Sequence, residues 1–130
     1  MTYLLDTHVW LWMLAEPRRL GAIEGIVRDG SNDLLLSAAS AWEIAIKYEL
    51  GRLSLPAPPA TFVPARLRKS GIMPLAVDHE HVLATAELPR LHRDPFDRLL
   101  VAQAQLLGVA ILTADPAIAR YDVETVGPAV

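Results

Sequence analysis

The chain predicts an α/β fold, a central and mostly parallel β-sheet flanked by helices on both faces, in one domain spanning residues 1–130. Three observations carry this expectation. Short apolar runs alternate with segments of helical period from end to end, an order that implies right-handed crossovers between parallel strands. A length of 130 residues suits a single core. Apolar residues make up 52% of the chain against 21% charged, enough to bury a sheet and too ordinary a balance for disorder.

Taken in order, Tyr3-Leu4-Leu5 is a short strand that stops at Asp6. Thr7 to Ala15 places Val9, Trp10, Met13 and Leu14 at helical spacing, and Pro17 ends it. Leu20 to Asp29 puts Leu20, Ile23, Ile26 and Val27 on one helical face before Gly30. Leu34-Leu35-Leu36 is a second, buried strand. Ser40-Ala41-Trp42-Glu43 has the form of a capping box, opening a helix that runs to Leu50 and stops at Gly51. A Pro-rich loop over residues 55–59 leads to an amphipathic helix from Thr61 to Ser70, perturbed by Pro64. Ile72 to Val77 is a third strand, placed at an edge by Pro74. Asp78 caps a helix through Glu87, and an Arg- and His-containing loop follows to Arg93.

The clearest helix opens at Asp94-Pro95-Phe96-Asp97, with Asp94 suited to the N-cap, Pro95 to the first turn, and Asp97 to the positive end of the dipole. Gly108 ends it. Val109 to Leu112 is a β-branched strand, Thr113-Ala114-Asp115-Pro116 turns into a short helix ending at Tyr121, and Val123 to Val126 is the last strand. The closing Gly127-Pro128 segment is expected to fray.

Composition narrows the chemistry. With no cysteine, disulfides, thiolate metal sites and a cysteine nucleophile are excluded. The opening Met1-Thr2-Tyr3-Leu4-Leu5-Asp6 lacks the basic region and cleavage site of a signal peptide. No apolar run approaches the ~20 residues that span a bilayer. The expectation is a cytoplasmic protein without a membrane segment. A net charge of −3 argues against a large non-specific nucleic-acid surface. It leaves a nuclease open, because cations held in an acidic site invert the local field.

Open α/β sheets bind ligands beyond the carboxyl ends of their strands. Asp6 ends the first strand and Asp115 lies just past the fourth. Glu43 and Asp97 sit in the first turns of helices that can reach the same rim. Four carboxylates brought together repel, and such a cluster persists cheaply only with a bound cation. Oxygen ligands without cysteine or a histidine pair suit Mg²⁺ or Mn²⁺. The chemistry such an arrangement serves is phosphodiester hydrolysis.

The motifs carrying these acids resemble those of a known family. Leu4-Leu5-Asp6-Thr7-His8-Val9-Trp10, Ser37-Ala38-Ala39-Ser40-Ala41-Trp42-Glu43-Ile44-Ala45-Ile46-Lys47, His92-Arg93-Asp94-Pro95-Phe96-Asp97-Arg98-Leu99-Leu100 and Leu112-Thr113-Ala114-Asp115 are similar, in order, to the four acidic blocks of VapC-type PIN-domain ribonucleases, the toxins of type II toxin–antitoxin pairs. The resemblance covers nearly the whole chain. It implies a PIN-like fold and Mg²⁺- or Mn²⁺-dependent endoribonuclease activity. It implies Asp6, Glu43 and Asp97 as metal ligands, with Asp115 as the fourth acid. It also implies a small VapB-like antitoxin covering the site, and a homodimer.

Each residue also has a plainer role. Glu43 can complete a capping box or pair with Lys47 one turn on, and Asp94 and Asp115 suit helix caps. Thr7, Ser40, Asp94 and Thr113 can orient the acids from behind. Arg90, His92, Arg93, Arg98 and Lys47 are candidate RNA contacts. His79 and His81, two apart on a helix, do not face one another and suit surface or capping positions. Trp10, Trp12 and Trp42 suit a core or an interface better than base stacking, and α-helical apolarity on several faces over Thr7 to Leu14 suits a partner. Two other functions compete. A phosphotransfer domain using Asp6 as acceptor, of the haloacid-dehalogenase type, needs an Asp where His8 stands. A degenerate PIN-like module would bind RNA or protein without cutting.

Overall fold

The computed structural model describes residues 1–129. Five strands form one all-parallel sheet in the order β3-β2-β1-β4-β5. They are β1 (Thr2–Leu5), β2 (Asp33–Ser37), β3 (Met73–Leu75), β4 (Ala110–Leu112) and β5 (Thr125–Val126). The α-helices are α1 (Thr7–Ala15), α2 (Ile23–Arg28), α3 (Ala38–Glu49), α4 (Pro59–Ser70), α5 (His79–Ala84) and α6 (Pro95–Leu107).

Strand pleating explains the layers. Side chains alternate across a strand, so Tyr3 and Leu5 of β1 join Leu34, Leu36, Ala110 and Leu112 on one face, packed with Val9, Trp10, Ile23, Ile44, Val63 and Leu67. Leu4 and Ile111 point the other way, onto Leu100, Val101, Ala104, Ile118 and Tyr121. Helices thus cover both faces, as expected. Trp10 is the largest fully buried side chain of the first layer.

The strand order reverses at the centre. From β1 the chain builds outward to β2 and β3, then returns to place β4 on the other side of β1. The crevice beyond the carboxyl ends of β1 and β4 is therefore the topological switch point, where α/β sheets place their ligands. Asp6 and Thr113 leave those strand ends side by side, with the Asp6 N–H donating to Leu112 O at 3.0 Å.

Several boundaries differ from expectation. The helix expected over Leu20 to Asp29 is a 3-10 turn at Pro17–Leu20 followed by α2, broken at Gly21. Gly21 has φ +51°, and a Cβ there would strike the Pro128 carbonyl, so backbone proximity decides the break. The same carbonyl accepts the Ala22 N–H at 3.0 Å, so Pro128 is tied down rather than frayed. The helix expected from Asp78 to Glu87 ends at Ala84 and tightens into a 3-10 turn over Thr85–Glu87. The short helix before Tyr121 is one 3-10 turn, Ile118–Arg120. β3 lies at the sheet edge, where Pro74 costs no ladder bond to a further strand. Among the described residues, no helix is long and apolar enough to cross a membrane.

The largest correction concerns α3. It begins at Ala38, not after Ser40, because Ser37 takes the cap: its Oγ accepts the Ala39 N–H at 3.0 Å. Glu43 therefore lies in the second turn, too far along to complete a capping box. Ser40 is released from capping and points into the fold.

Candidate active site

Asp6 stands where the first strand turns into α1. Its backbone has N-cap geometry, yet its carboxylate caps nothing. Instead Oδ2 accepts the Thr113 hydroxyl at 2.7 Å, a contact across 107 residues that joins the ends of β1 and β4. Asp6 is 3% exposed, and its second oxygen, Oδ1, has no hydrogen-bond partner among the described residues. Burial holds its carboxyl above the usual range, with the nearby Glu43 charge adding to the rise against the Thr113 bond.

Glu43 comes from α3. Its Oε2 meets Lys47 Nζ at 3.1 Å, the pair expected one turn apart. Its Oε1 is buried without a partner. Thr7 Oγ1 donates to Ser40 Oγ at 2.8 Å, and both are buried. The two hydroxyls expected to steady carboxylates thus bind each other, lashing α1 to α3 and so fixing Asp6 relative to Glu43.

Asp97 enters from the first turn of α6. Asp94 is the cap, its Oδ1 accepting from the N–H groups of Phe96 at 2.8 Å and Asp97 at 3.2 Å. Burial, then the charges of Asp6 and Asp94, push the Asp97 carboxyl up to about 7. Asp115 caps the chain after β4, its Oδ1 accepting the Ala117 N–H at 2.8 Å. Its other oxygen, Oδ2, approaches His92.

His92, expected among RNA contacts, joins the acids instead. Its Nε2 lies 2.8 Å from Asp97 Oδ2 and 3.2 Å from Asp115 Oδ2. Nitrogen and oxygen atoms of the three residues lie within 4.8 Å of one another. Burial alone would lower the His92 pKa, but the two carboxylates outweigh it and raise it. The only signal for this in the sequence is the short separation from Asp97, which does not specify a loop conformation.

Arg98 is also placed differently from the RNA contact expected. Its guanidinium donates to Thr85 O at 2.9 Å, Pro89 O at 3.0 Å and Tyr121 Oη at 3.1 Å. Its donors are therefore taken by the protein. We expect Arg98→Ala to cost roughly 2–3 kcal/mol, since it strands several acceptors at once. Urea unfolding would show this, and a loss under about 0.5 kcal/mol would contradict the bracing role. Arg90 and Arg93 remain exposed on an open cleft of about 870 Å³ that also includes Leu88, Leu91 and His92.

Of the tryptophans, Trp10 is core, and Trp12 is half-buried beneath the Arg19 guanidinium, 4.3 Å from its ring centre. Trp42 is 63% exposed, edge-on to Phe96 at 5.2 Å, so it is not a core residue. His81 is buried and caps α5, its Nδ1 accepting the Asp78 N–H at 3.0 Å, whereas His79 is exposed.

Among the described residues, His92, Asp97 and Asp115 bring ligand atoms together at the switch point of an all-parallel sheet, while Asp6 and Glu43 stand outside that close group. The PIN-domain family matches residues 3–124. Ribonuclease VapC16 of Mycobacterium tuberculosis is 61% identical over 56 residues, which is 43% of this chain and 40% of that protein. Ribonuclease VapC22 of the same organism is 32% identical over 117 residues, covering 88% of this chain and 87% of its own length. The crystal structure of VapBC2 from Rickettsia felis bound to a promoter DNA fragment shares the fold, with a TM-score of 0.72 at 13% identity over 98% of each chain. The VapBC structure from Salmonella typhimurium, also bound to DNA, has a TM-score of 0.69 at 15% identity over 99% of each chain. The chain belongs to the PIN-domain family and, within it, to the group of VapC proteins.

Proposed function

We propose that this protein is an endoribonuclease toxin that depends on Mg²⁺ or Mn²⁺ held by Asp6, Glu43, Asp97 and Asp115. The observation that carries the proposal is the pair of buried oxygens, Asp6 Oδ1 and Glu43 Oε1, left without partners beside a third acid whose proton affinity is raised. Buried polar atoms are nearly always satisfied, and carboxylates crowded this way are costly without a counter-charge. The donor set fits a hard divalent ion. Such an ion supplies the positive charge that phosphodiester hydrolysis requires.

The chain's own groups prepare that chemistry. Thr113 fixes one oxygen of Asp6 and leaves the other without a partner among the described residues. The Thr7–Ser40 bond holds the helices bearing Asp6 and Glu43 in register. Asp94, by capping α6, sets the first turn from which Asp97 projects. Arg90 and Arg93 are the cations free to meet RNA phosphates on the adjoining cleft, as Arg98 and Lys47 are engaged within the protein.

We further propose a small VapB-like antitoxin as partner, a homodimeric toxin and a cytoplasmic setting. An apolar groove of about 510 Å³ beside α1, lined by Leu11, Trp12, Ala15, Leu53, Pro56 and Phe62, offers an antitoxin segment a seat. Binding there is expected to block cleavage.

The test is RNA cleavage by the purified protein. Cutting is expected with Mg²⁺ or Mn²⁺ and is expected to stop on chelation, and Arg90→Ala with Arg93→Ala should weaken RNA binding while leaving metal binding intact. Cleavage that continues undiminished in chelator would overturn the metal assignment. RNA binding with no cutting under either ion would favour the degenerate binding module.

A further inference from the structure

His92 lies between two of the acids, Asp97 and Asp115, and the proposed chemistry gives it no task. Its position is built. The His92 backbone N–H donates to Tyr121 Oη at 3.0 Å, and that of Leu91 does so at 3.3 Å. Tyr121 is itself buried and held by Arg98. These anchors come from outside the acid cluster and aim the ring at it.

The ring's proton has a defined place. Nδ1 accepts the Arg93 backbone N–H at 3.0 Å, so Nε2 carries the proton and shares it between Asp97 Oδ2 and Asp115 Oδ2. For Nε2 to serve as a metal ligand, its proton would have to move to Nδ1, where it would oppose the Arg93 N–H. As held, the ring is a donor to the acids and cannot also offer them a lone pair.

We propose that His92 is an internal competitor of the divalent ion: its Nε2–H occupies the position between Asp97 and Asp115 that a cation needs, and the ion loads only as the ring withdraws. The proposal rests on the metal-dependent reading above and adds to it a residue that limits metal affinity. Without the ring, Asp97 and Asp115 face each other with no donor between them, and a divalent ion becomes their natural counter-charge.

Calorimetric titration with Mn²⁺ of the wild type, His92→Ala and His92→Phe tests this. Phe keeps the ring's bulk, and both variants retain the backbone N–H bonded to Tyr121. Both are expected to bind Mn²⁺ on the order of tenfold more tightly, the scale of one charge-assisted hydrogen bond that no longer has to break. Weaker binding in the variants would identify His92 as a ligand and overturn the proposal, and so would unchanged affinity. A second measurement needs no variant. In long-range proton–nitrogen spectra of the wild type, saturating Mg²⁺ is expected to abolish the hydrogen-bonded Nε2–H signature of His92, and its persistence at saturation would overturn the proposal. Absence of Mn²⁺ binding in all three proteins would instead sink the metal-dependent reading itself, and this proposal with it.

Discussion

Replacing Asp6 by Asn is expected to reduce RNA cleavage by roughly 10³-fold, about 4 kcal/mol of barrier, while leaving the fold intact. The substitution removes the charge of the acid at the switch point but keeps an oxygen to accept the Thr113 hydroxyl, now 2.7 Å away. The strand ends therefore stay joined, and the apo protein should melt within a few degrees of wild type. The buried Oδ1 is where the loss arises, since it has no partner among the described residues. Single-turnover cleavage alongside a thermal melt separates the two effects. Activity within tenfold of wild type, in a folded variant, would mean that Asp6 does not hold the ion.

The second large effect is on stability. In metal-free protein, stability is expected to fall by roughly 2 kcal/mol as the pH rises from about 4 to 7. Asp97 ionises near 3.8 when unfolded, but in the fold its carboxyl is pushed up to about 7, by burial first and then by Asp6 and Asp94. Between those values the unfolded chain releases a proton that the folded chain retains, so ionisation pulls toward unfolding. The contribution is full below the unfolded value and is gone above the folded one. Asp6, raised mainly by burial, acts in the same sense. So does His92: its proton is favoured in the fold, and that benefit fades as the pH passes through its raised value.

Asp97→Asn should therefore melt above wild type at pH 7.5 in chelator and show a flatter pH profile, since Asn removes the repulsion while still accepting from His92. With saturating Mn²⁺ the order should reverse, because only the wild-type acid set gains full ligand stabilisation. An Asn variant that melts below wild type in chelator would mean that the acids are not under mutual strain.

Much of this molecule is legible at short range. The cap formed by Asp94, the Pro95 turn and the αL stop at Gly108 are local backbone rules. The alternation of Tyr3, Leu4 and Leu5 across β1 and the edge position announced by Pro74 are equally local. Asp6 and Asp97 too were marked as candidates by the strand end and helix start on which they fall, whereas Glu43 lies in the second turn of α3. Legibility failed where two local solutions competed. Ser37 and Ser40 are both good caps, and the earlier one won when Thr7 offered Ser40 a buried partner on another helix.

By itself, then, the sequence determined the α/β alternation and the two-faced burial of the strands, and it supplied the candidate acids, because each depends on residues only a few positions apart. The tertiary structure alone decided which side chains those acids meet. Thr113 reaches Asp6 across 107 residues, and His92 turns into the crevice rather than toward solvent. Arg98 is spent on carbonyls and on Tyr121. These outcomes follow from strand order and loop path, for which no spacing along the chain is a proxy, and they determine how much unpaired negative charge the crevice retains.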